Sequence, residues 1–332
     1  MAIIEIKDTL GTPKYKQIVA SIENAITHGH LKKGDKLPSL NHIKTEHNLS
    51  RDTVLSAFNE LKTRGIIASV VGKGYYVASE NIEITQKIFL LFDEFNSFKE
   101  DLYNSFIIGL GDRVQVDIFF HHFNAEIFST IINDKAGAYS YYVIMPANLT
   151  DIAPIIQRLP NDKVYILDQM PSALRHYPSV YQNFKKDIYS GLQAGLKQIT
   201  TYKKVILLYD EQRQPPGILE GFQAFCAAHT LTHEVISILK DSPLSKGELY
   251  ILLDDKNLIR VIKRMQQQDL ELAKDIGIIS YNDTLLKEIV QGGITTISTN
   301  FNLMGKRLAH MILNQDFAQI ENPNRLIIRQ SL

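Results

Sequence analysis

Two sets of residues in this chain have types and spacings suited to chemistry, and in both the chemistry is recognition. In Ser50-Arg51-Asp52-Thr53 a capping residue precedes a cation, a carboxylate and a hydroxyl at the start of a helical pattern. Free backbone N–H groups at a helix start attract a phosphate, and Arg51, Asp52 and Thr53 add side chains able to reach base edges in a major groove. The second set follows a series of short apolar runs: Phe95 and Asn96, Met145-Pro146, Asp168-Gln169, Asp210, Asp254-Asp255 and Tyr281-Asn282-Asp283. Carboxylates and amides interleaved with aromatic rings suit a sugar, whose hydroxyls need donors and acceptors and whose C–H faces need an aromatic plate. Taken singly, each of these residues is as well explained as a loop acid or a helix cap. Bond-making chemistry has no comparable support: no G-x-S-x-G elbow, P-loop, H-E-x-x-H or paired C-x-x-C occurs. Adjacent His121 and His122 point in different directions and lack nearby acidic or cysteine ligands, so a structural role at a strand end is expected rather than a metal. Cys226, in the apolar run 221–228, reads as a small buried hydrophobe.

The first set needs a helix-turn-helix to present it, and residues 13–78 supply one. Pro13 opens a helix whose apolar stripe is Tyr15, Ile18, Val19, Ile22 and Ile26, ended by Gly29. Ser39 caps a second helix with Leu40 and Ile43 facing inward. After a turn at Asn48-Leu49, Ser50 caps a third, which buries Val54, Phe58 and Leu61 and stops at Gly65. Ile66–Val70 and Tyr75–Val77 flank Gly72-Lys73-Gly74 as a two-stranded wing. Residues 1–80 hold eleven Lys/Arg against eight Asp/Glu in a chain with no net charge, so this segment carries +3 and the remainder −3. That asymmetry has the sign expected of a nucleic-acid reader. One copy would bind weakly, so a homodimer on two half-sites is expected.

The second set needs parallel strands ending at one crevice. From Lys87 onward short apolar runs alternate with helical patterns. Strands are expected at 88–92, 114–120, 141–145, 164–167, 205–209, 235–239, 249–253 and 276–280. Helices are expected near 97–109, 125–133, 152–158, 188–199, 218–229, 257–267 and from 285. Such alternation means an α/β domain of doubly wound parallel sheets covered on both faces, here as two lobes with the ligand beyond the carboxyl ends of the strands. Residues 1–12 read as a loosely held arm and 79–86 as a polar hinge. The domains expected are therefore 1–78, the hinge 79–86, and 87–332. At 332 residues and 45% hydrophobic composition the chain can bury several cores. It has no apolar run of membrane-spanning length, no signal peptide and a single cysteine, which suits the cytoplasm.

Pro13-x-Tyr15-x-Gln17-Ile18, Gly34-Asp35-Lys36-Leu37-Pro38-Ser39, Ser50-Arg51-Asp52-Thr53-Val54 and Gly72-Lys73-Gly74-Tyr75 resemble the GntR family of bacterial transcription regulators. The resemblance covers about the first 80 residues. It implies operator binding as a dimer, with Ser39, Ser50, Arg51, Asp52 and Thr53 at the DNA and Gly72-Lys73-Gly74 near the minor groove. Asn41 stands where many members carry an arginine, so its contact lacks the charge.

Residues 87–332 resemble the periplasmic-binding-protein-like effector domain of the LacI/GalR repressors. The carrying segments are Val180-Tyr181-Gln182-Asn183 through Asp187-x-x-x-Gly191, the Gly221-Phe222 helix, Ile278 to Asp283, and Thr295 to Phe301 with Met304-Gly305. This implies lobe crossings near 182, 299 and 320, a last strand at 325–329 in the second lobe, and Gln182, Asn183, Asp283 and Asn300 as effector contacts. No arginine stands three or five residues before Gly221, where related repressors place one; Arg213 is a candidate substitute. The combination resembles arabinose-type repressors and sugar-utilisation regulators, which implies no cofactor and a free monosaccharide such as a pentose or a deoxyhexose, fucose among them. An aminotransferase-like fusion would need a longer chain and a Schiff-base lysine. The alternative is a constitutive DNA-binding protein whose second domain only dimerises or senses a non-sugar metabolite.

Overall fold

The computed structural model describes residues 3–6, 12–239 and 242–332. The N-terminal unit comprises α1 (Lys14–Thr27), α2 (Leu40–Glu46), α3 (Arg51–Thr63) and the antiparallel hairpin β1 (Ile67–Val70) and β2 (Gly74–Val77). Its core forms because apolar residues recur at helical spacing: Ile18 and Ile22 of α1 meet Val54, Ala57, Phe58 and Leu61 of α3. Pro13 sits one residue before α1, as its cap, and Ser39 and Ser50 cap α2 and α3 by accepting from the His42 and Thr53 amides. The segment 34–37 pairs with the wing: Leu37 N donates to Tyr75 O (2.8 Å) and Val77 N to Asp35 O (2.9 Å). Tyr75 stands edge-on to Phe58 at 4.9 Å, fixing the hairpin on α3.

The expected loose arm is not what the described part of it forms. Ile4 is buried in the core of this unit, and Glu5 exchanges backbone hydrogen bonds with the Ser21 hydroxyl. Burial of an isoleucine stabilises by roughly 1.5–3 kcal/mol, which is why 3–6 is held down. The rest of that arm, residues 1, 2 and 7–11, lies outside the described residues.

The first lobe runs β3 (Gln86–Phe92), α4 (Ser97–Leu110), β4 (Val114–Phe120), α5 (Ala125–Lys135), β5 (Tyr141–Ile144), α6 (Ala153–Ile156), β6 (Val164–Asp168) and β7 (Ser179–Tyr181). The chain then builds the second lobe from α7 (Phe184–Ala194), α8 (Leu196–Ile199), β8 (Lys204–Leu208), α9 (Pro216–Ala228), β9 (His233–Ile236), β10 (Glu248–Leu252), α10 (Asp255–Gln267), β11 (Ile276–Tyr281), α11 (Leu285–Ile289) and β12 (Thr295–Thr299). It returns through α12 (Phe301–Asn314) and β13 (Gln319–Glu321), and ends in the second lobe with β14 (Asn324–Ile327). The sheet orders are β13-β7-β6-β5-β3-β4 and β14-β12-β11-β10-β8-β9, parallel throughout except for β14. The crossings near 182, 299 and 320 stand where the resemblance put them. Strand β7 was absent from the expected strands: three residues are too short for a periodic signal.

Period two explains why the strands read as unbroken apolar runs. Ile88, Leu90 and Phe92 face α4 and α12, while Phe89 and Leu91 face α5 and α6. In the second lobe Leu207 and Ile251 lie on the α7–α9 side and Leu208 and Leu252 on the α10 side. Helices α4 and α12 pack so closely that a methyl group at Gly305 would strike the Leu102 carbonyl. Among the described residues no helix is long and apolar enough to cross a membrane.

The linker between the units is clamped rather than free. Arg64, the cap at the end of α3, donates to the carbonyls of Ile82 and Ile84 (both 3.0 Å) and pairs with Glu23 (2.5 Å). Glu80 accepts from Lys33 N, and Ser140 Oγ donates to Thr63 O at the amino end of β5.

Candidate functional site

At the N-terminal unit, the start of α3 and the wing tip are both open to solvent. Arg51 and Asp52 are exposed and Thr53 half-buried. The Ser50 and Thr53 hydroxyls bond each other at 2.8 Å, so Ser50 is occupied as a cap and Thr53 as its partner. Asn41, on the first turn of α2, is exposed; Ser39 is held by its capping bond. The wing turns through Val71-Gly72-Lys73, with Gly72 and Gly74 at φ of 72° and 105°, a conformation that disfavours side chains. Lys73 N donates to Val70 O, and Val71 is 100% exposed at the tip. The nine expected residues therefore fall on exposed helix starts and the wing tip.

At the other end of the first lobe, the strand ends face the second lobe across a crevice. A cavity of about 720 Å³ opens there, lined by Asn148, Gln169, Gln182 and Asn183 on one side and Pro215 and Gly217 on the other. Five non-glycine residues with left-handed backbone stand at the strand ends, of which Ala147 lines the cavity: His122 and Phe123 after β4, Ala147 after β5, Asp168 ending β6, and Asn282 after β11. Such conformations persist only where surrounding contacts enforce them, and they cluster at functional sites.

Beneath these loops lies a buried polar cluster. Asp168 accepts from Gln182 Nε2 at 2.5 Å, and burial pushes its carboxyl up to about 6, against the pull of Lys99. Lys99 itself is paired with Asp93, both buried. Asp187, at the start of α7, is pushed up to about 7 by burial and by Glu321, with Lys186 opposing. Tyr281 projects from β11 within electrostatic reach of Asp168 and Asp187, and its hydroxyl lies beside Asn324 without a well-formed bond. Gln182 Oε1, Asp187 Oδ2, the Tyr281 hydroxyl and Asn282 Oδ1 have no hydrogen-bond partner among the described residues. A buried polar atom left so costs roughly 1–3 kcal/mol.

The structure does not gather every expected contact here. Asp283 is gripped by Arg329 at 2.6 and 2.8 Å and accepts from Thr296. With Asn300, the cap of α12, it lines a separate cavity of about 490 Å³. Asn96 and Asn183 are the caps of α4 and α7, although Asn183 also lines the crevice. Asp254 caps α10, Asp255 pairs with Lys287 and Asp210 closes a turn onto Gln212 N. Met145 belongs to the first lobe's core, where its carbonyl meets His121 Nε2 at 3.0 Å. Phe95 is half-exposed, edge-on to Phe120. Arg213 is not aimed into the crevice: it spans the lobes, paired with Glu94 and lying over the Phe123 ring. Beside it Asn148 Nδ2 donates to Gln214 O at 2.5 Å. Cys226 is buried, its thiol pushed up to about 12.

Sequence reasoning missed Asp93, Lys99 and Asn324, and read Asp187 only as part of a resemblance. Asp93 directly follows the apolar run of β3 and Lys99 stands within the next helix, a signal that was available. Asn324 carried none, because only the third crossing brings it to the crevice.

Comparison with known proteins agrees with the two-part architecture. Residues 14–77 match the family model of bacterial regulatory proteins, gntR family, and residues 201–332 that of the periplasmic binding protein-like domain. The HTH-type transcriptional repressor YtrA of Bacillus subtilis (strain 168) is 37% identical over 83 residues, 25% of this chain and 63% of that protein. The mannosyl-D-glycerate transport/metabolism system repressor MngR of Escherichia coli (strain K12) is 38% identical over 82 residues, 25% of this chain and 34% of that protein. The chain thus spans under two thirds of either relative, and both are transcriptional regulators rather than enzymes. Among solved structures, a LacI family transcriptional regulator from Lactobacillus casei with bound glucose superposes with a TM-score of 0.61 at 17% identity, covering 74% of this chain and 99% of that one.

Proposed function

We propose that this chain, which joins a GntR-type winged helix-turn-helix to a two-lobed domain of the LacI and periplasmic-binding-protein type, is a cytoplasmic repressor of carbohydrate-utilisation genes. Its operator affinity is set by a small sugar in the crevice. The observation that carries the reading is the pairing of two surfaces on one chain: exposed Arg51 and the wing tip on the N-terminal unit, and unsatisfied buried polar groups where the two lobes meet. The name of MngR and the glucose in the L. casei regulator support a carbohydrate. In this reading residues 1–78 bind DNA, 79–86 couple, and 87–332 bind effector and dimerise. Ser39, Asn41, Ser50, Arg51, Asp52, Thr53 and Gly72-Lys73-Gly74 face the operator.

The coupling follows from linkage. Sugar binding changes the angle between the lobes, and the first lobe carries the reader through the Arg64-clamped linker. The effect on DNA affinity equals the sugar's preference between the two conformations, and operator DNA shifts sugar affinity by the same factor. Release of the operator by sugar is the expected direction. The test is fluorescence anisotropy with operator DNA recovered by selection, repeated with each sugar that raises the melting midpoint. A stabilising sugar that leaves operator affinity unchanged would refute the coupling. No selective DNA binding at all would refute the reader.

A further inference from the structure

One turn of the second lobe reaches across the crevice. Between β8 and α9 the chain folds back on Asp210, whose carbonyl accepts from Gln214 N at 2.8 Å and whose carboxylate accepts from Gln212 N at 3.0 Å. Arg213 of this turn pairs with Glu94, and the Gln214 carbonyl accepts from Asn148 Nδ2 of the first lobe at 2.5 Å. The two contacts differ in kind. Arg213 is exposed, and an ion pair at such a position contributes little. Asn148 is half-buried and lines the cavity of about 720 Å³ together with Pro215 and Gly217, which follow Gln214. A carbonyl can only accept, so the contact with Gln214 fixes which way the amide points. Asn148 Oδ1 is thereby turned away from Gln214, and it is buried with no hydrogen-bond partner among the described residues. Gln182, also on the cavity wall, repeats the pattern, with Nε2 held by Asp168 and Oε1 left open. That bond joins the ends of β6 and β7 within the first lobe, whereas the bond of Asn148 runs between the lobes.

We infer, resting on the reading of the crevice as a sugar site, that Asn148 is the residue through which the sugar joins the lobes: its oxygen accepts a sugar hydroxyl while its amide holds the Gln214 carbonyl. The hydroxyl supplies the donor that Oδ1 lacks, which removes the penalty of a buried acceptor left unpaired. Oδ1 is shut from solvent as the lobes stand, so the sugar meets it as they reclose. Parted lobes lose the contact with Gln214, and with it the fixed orientation of the amide. The sugar therefore bonds Asn148 better in this arrangement than in an open one. Such a difference in affinity between two conformations is what linkage requires of an effector. Truncating Asn148 orphans no acceptor in the second lobe, because the Gln214 carbonyl also accepts from the Tyr209 hydroxyl at 3.2 Å.

The experiment uses the full-length protein. D-glucose, D-galactose, D-mannose, D-xylose, L-arabinose and L-fucose are screened by melting midpoint. The sugar giving the largest shift is then measured by calorimetry, beside its monodeoxyfluoro analogues, and by operator anisotropy. Asn148→Ala is expected to weaken that sugar about tenfold. Its effect on operator affinity should shrink by the same factor, because both report one coupling free energy. Fluorine accepts but does not donate. At one ring position it should cost the wild type about tenfold and cost Asn148→Ala nothing further, a non-additivity that a merely structural asparagine would not produce. Asn148→Asp keeps an oxygen for the sugar but sets a second acceptor against the Gln214 carbonyl. It should bind the sugar more tightly than Asn148→Ala does and still lose the operator response. Wild-type sugar affinity in Asn148→Ala, or fluorine and alanine losses that add at every position, would overturn the inference while leaving the sugar site intact. A weakened sugar with an undiminished operator response would do the same. Silence from every sugar would overturn the sugar reading, and the inference with it.

Discussion

The start of α3 and the interlobe crevice use polar side chains in opposite ways. At α3 the polar groups with structural work are satisfied within four residues in sequence: Ser50 caps the Thr53 amide, and their hydroxyls bond each other. What remains, Arg51 and Asp52, is solvated. In the crevice the polar groups come from β6, β11, α7 and β14, are buried, and keep acceptors open. The first surface can be displayed by a small unit folding alone; the second exists only when two lobes are assembled. A ligand at the first is gripped largely by charge at a wet surface, whereas a ligand at the second relieves a desolvation cost already present.

The largest expected effect separates the two regions by stability. Phe58→Ala removes the ring at the centre of the N-terminal core and should cost about 3–5 kcal/mol there. Operator binding should vanish while ligand-induced stabilisation of the lobes persists. Loss of both in calorimetric unfolding would show that the two units melt as one. Next, Gly305→Ala drives a methyl into α4 and should cost about 1–3 kcal/mol in the lobes through overpacking. A reader melting transition that moves with it would dissolve the contrast.

Arg51→Ala should weaken operator binding by roughly 1–3 kcal/mol, tenfold to hundredfold, with sugar affinity unchanged. Unaltered operator affinity would remove α3 from the DNA. The crevice has a pH signature. Asp187 retains its proton in the folded state to about 7 but loses it in the unfolded chain near 3.8. The folded protein therefore binds the extra proton, and its stability falls as pH rises through that window. His121, buried and lowered from 6.5, acts in the opposite sense only below that value. Between pH 6.5 and 8 the apo melting midpoint should fall, and Asp187→Asn should flatten the fall. An unchanged slope in the variant would take Asp187 out of the account. The smallest effect belongs to the Arg213–Glu94 pair between the lobes. Glu94 and Arg213 are both partly exposed, so Arg213→Ala should alter stability by only about 0–1 kcal/mol. It should nevertheless speed ligand exchange, measured by stopped flow.

The same contrast explains what could be read from sequence. The caps at Ser39 and Ser50, the stripe on α1 and the glycine turn of the wing are local patterns, and each stands where the pattern put it. The Gly34–Leu37 segment, recognisable as a motif, owes its form to pairing with the wing. Strand ends were legible too, since a buried run followed by polar residues marks where a sheet stops. Which of those polar residues turn inward was not. Asn96, Asn183, Asp254 and Asn300 cap helices, and Asp283 is held by Arg329 from 46 residues away. Neither outcome has a signature in spacing. Residues 3–6 were misread because four residues are too few to show a period, although Ile4 buries itself.

Arg64 sets where this protein could be cut and rejoined. Because its guanidinium holds the carbonyls of Ile82 and Ile84, the linker through 84 travels with the N-terminal unit rather than with the sheet that begins at Gln86. A chimaera that exchanges sensors at residue 78 would strip a half-buried arginine of two acceptors. One spliced between Thr85 and Gln86 would carry both acceptors of Arg64 along, so that this reader could be fitted to a different two-lobed sensor.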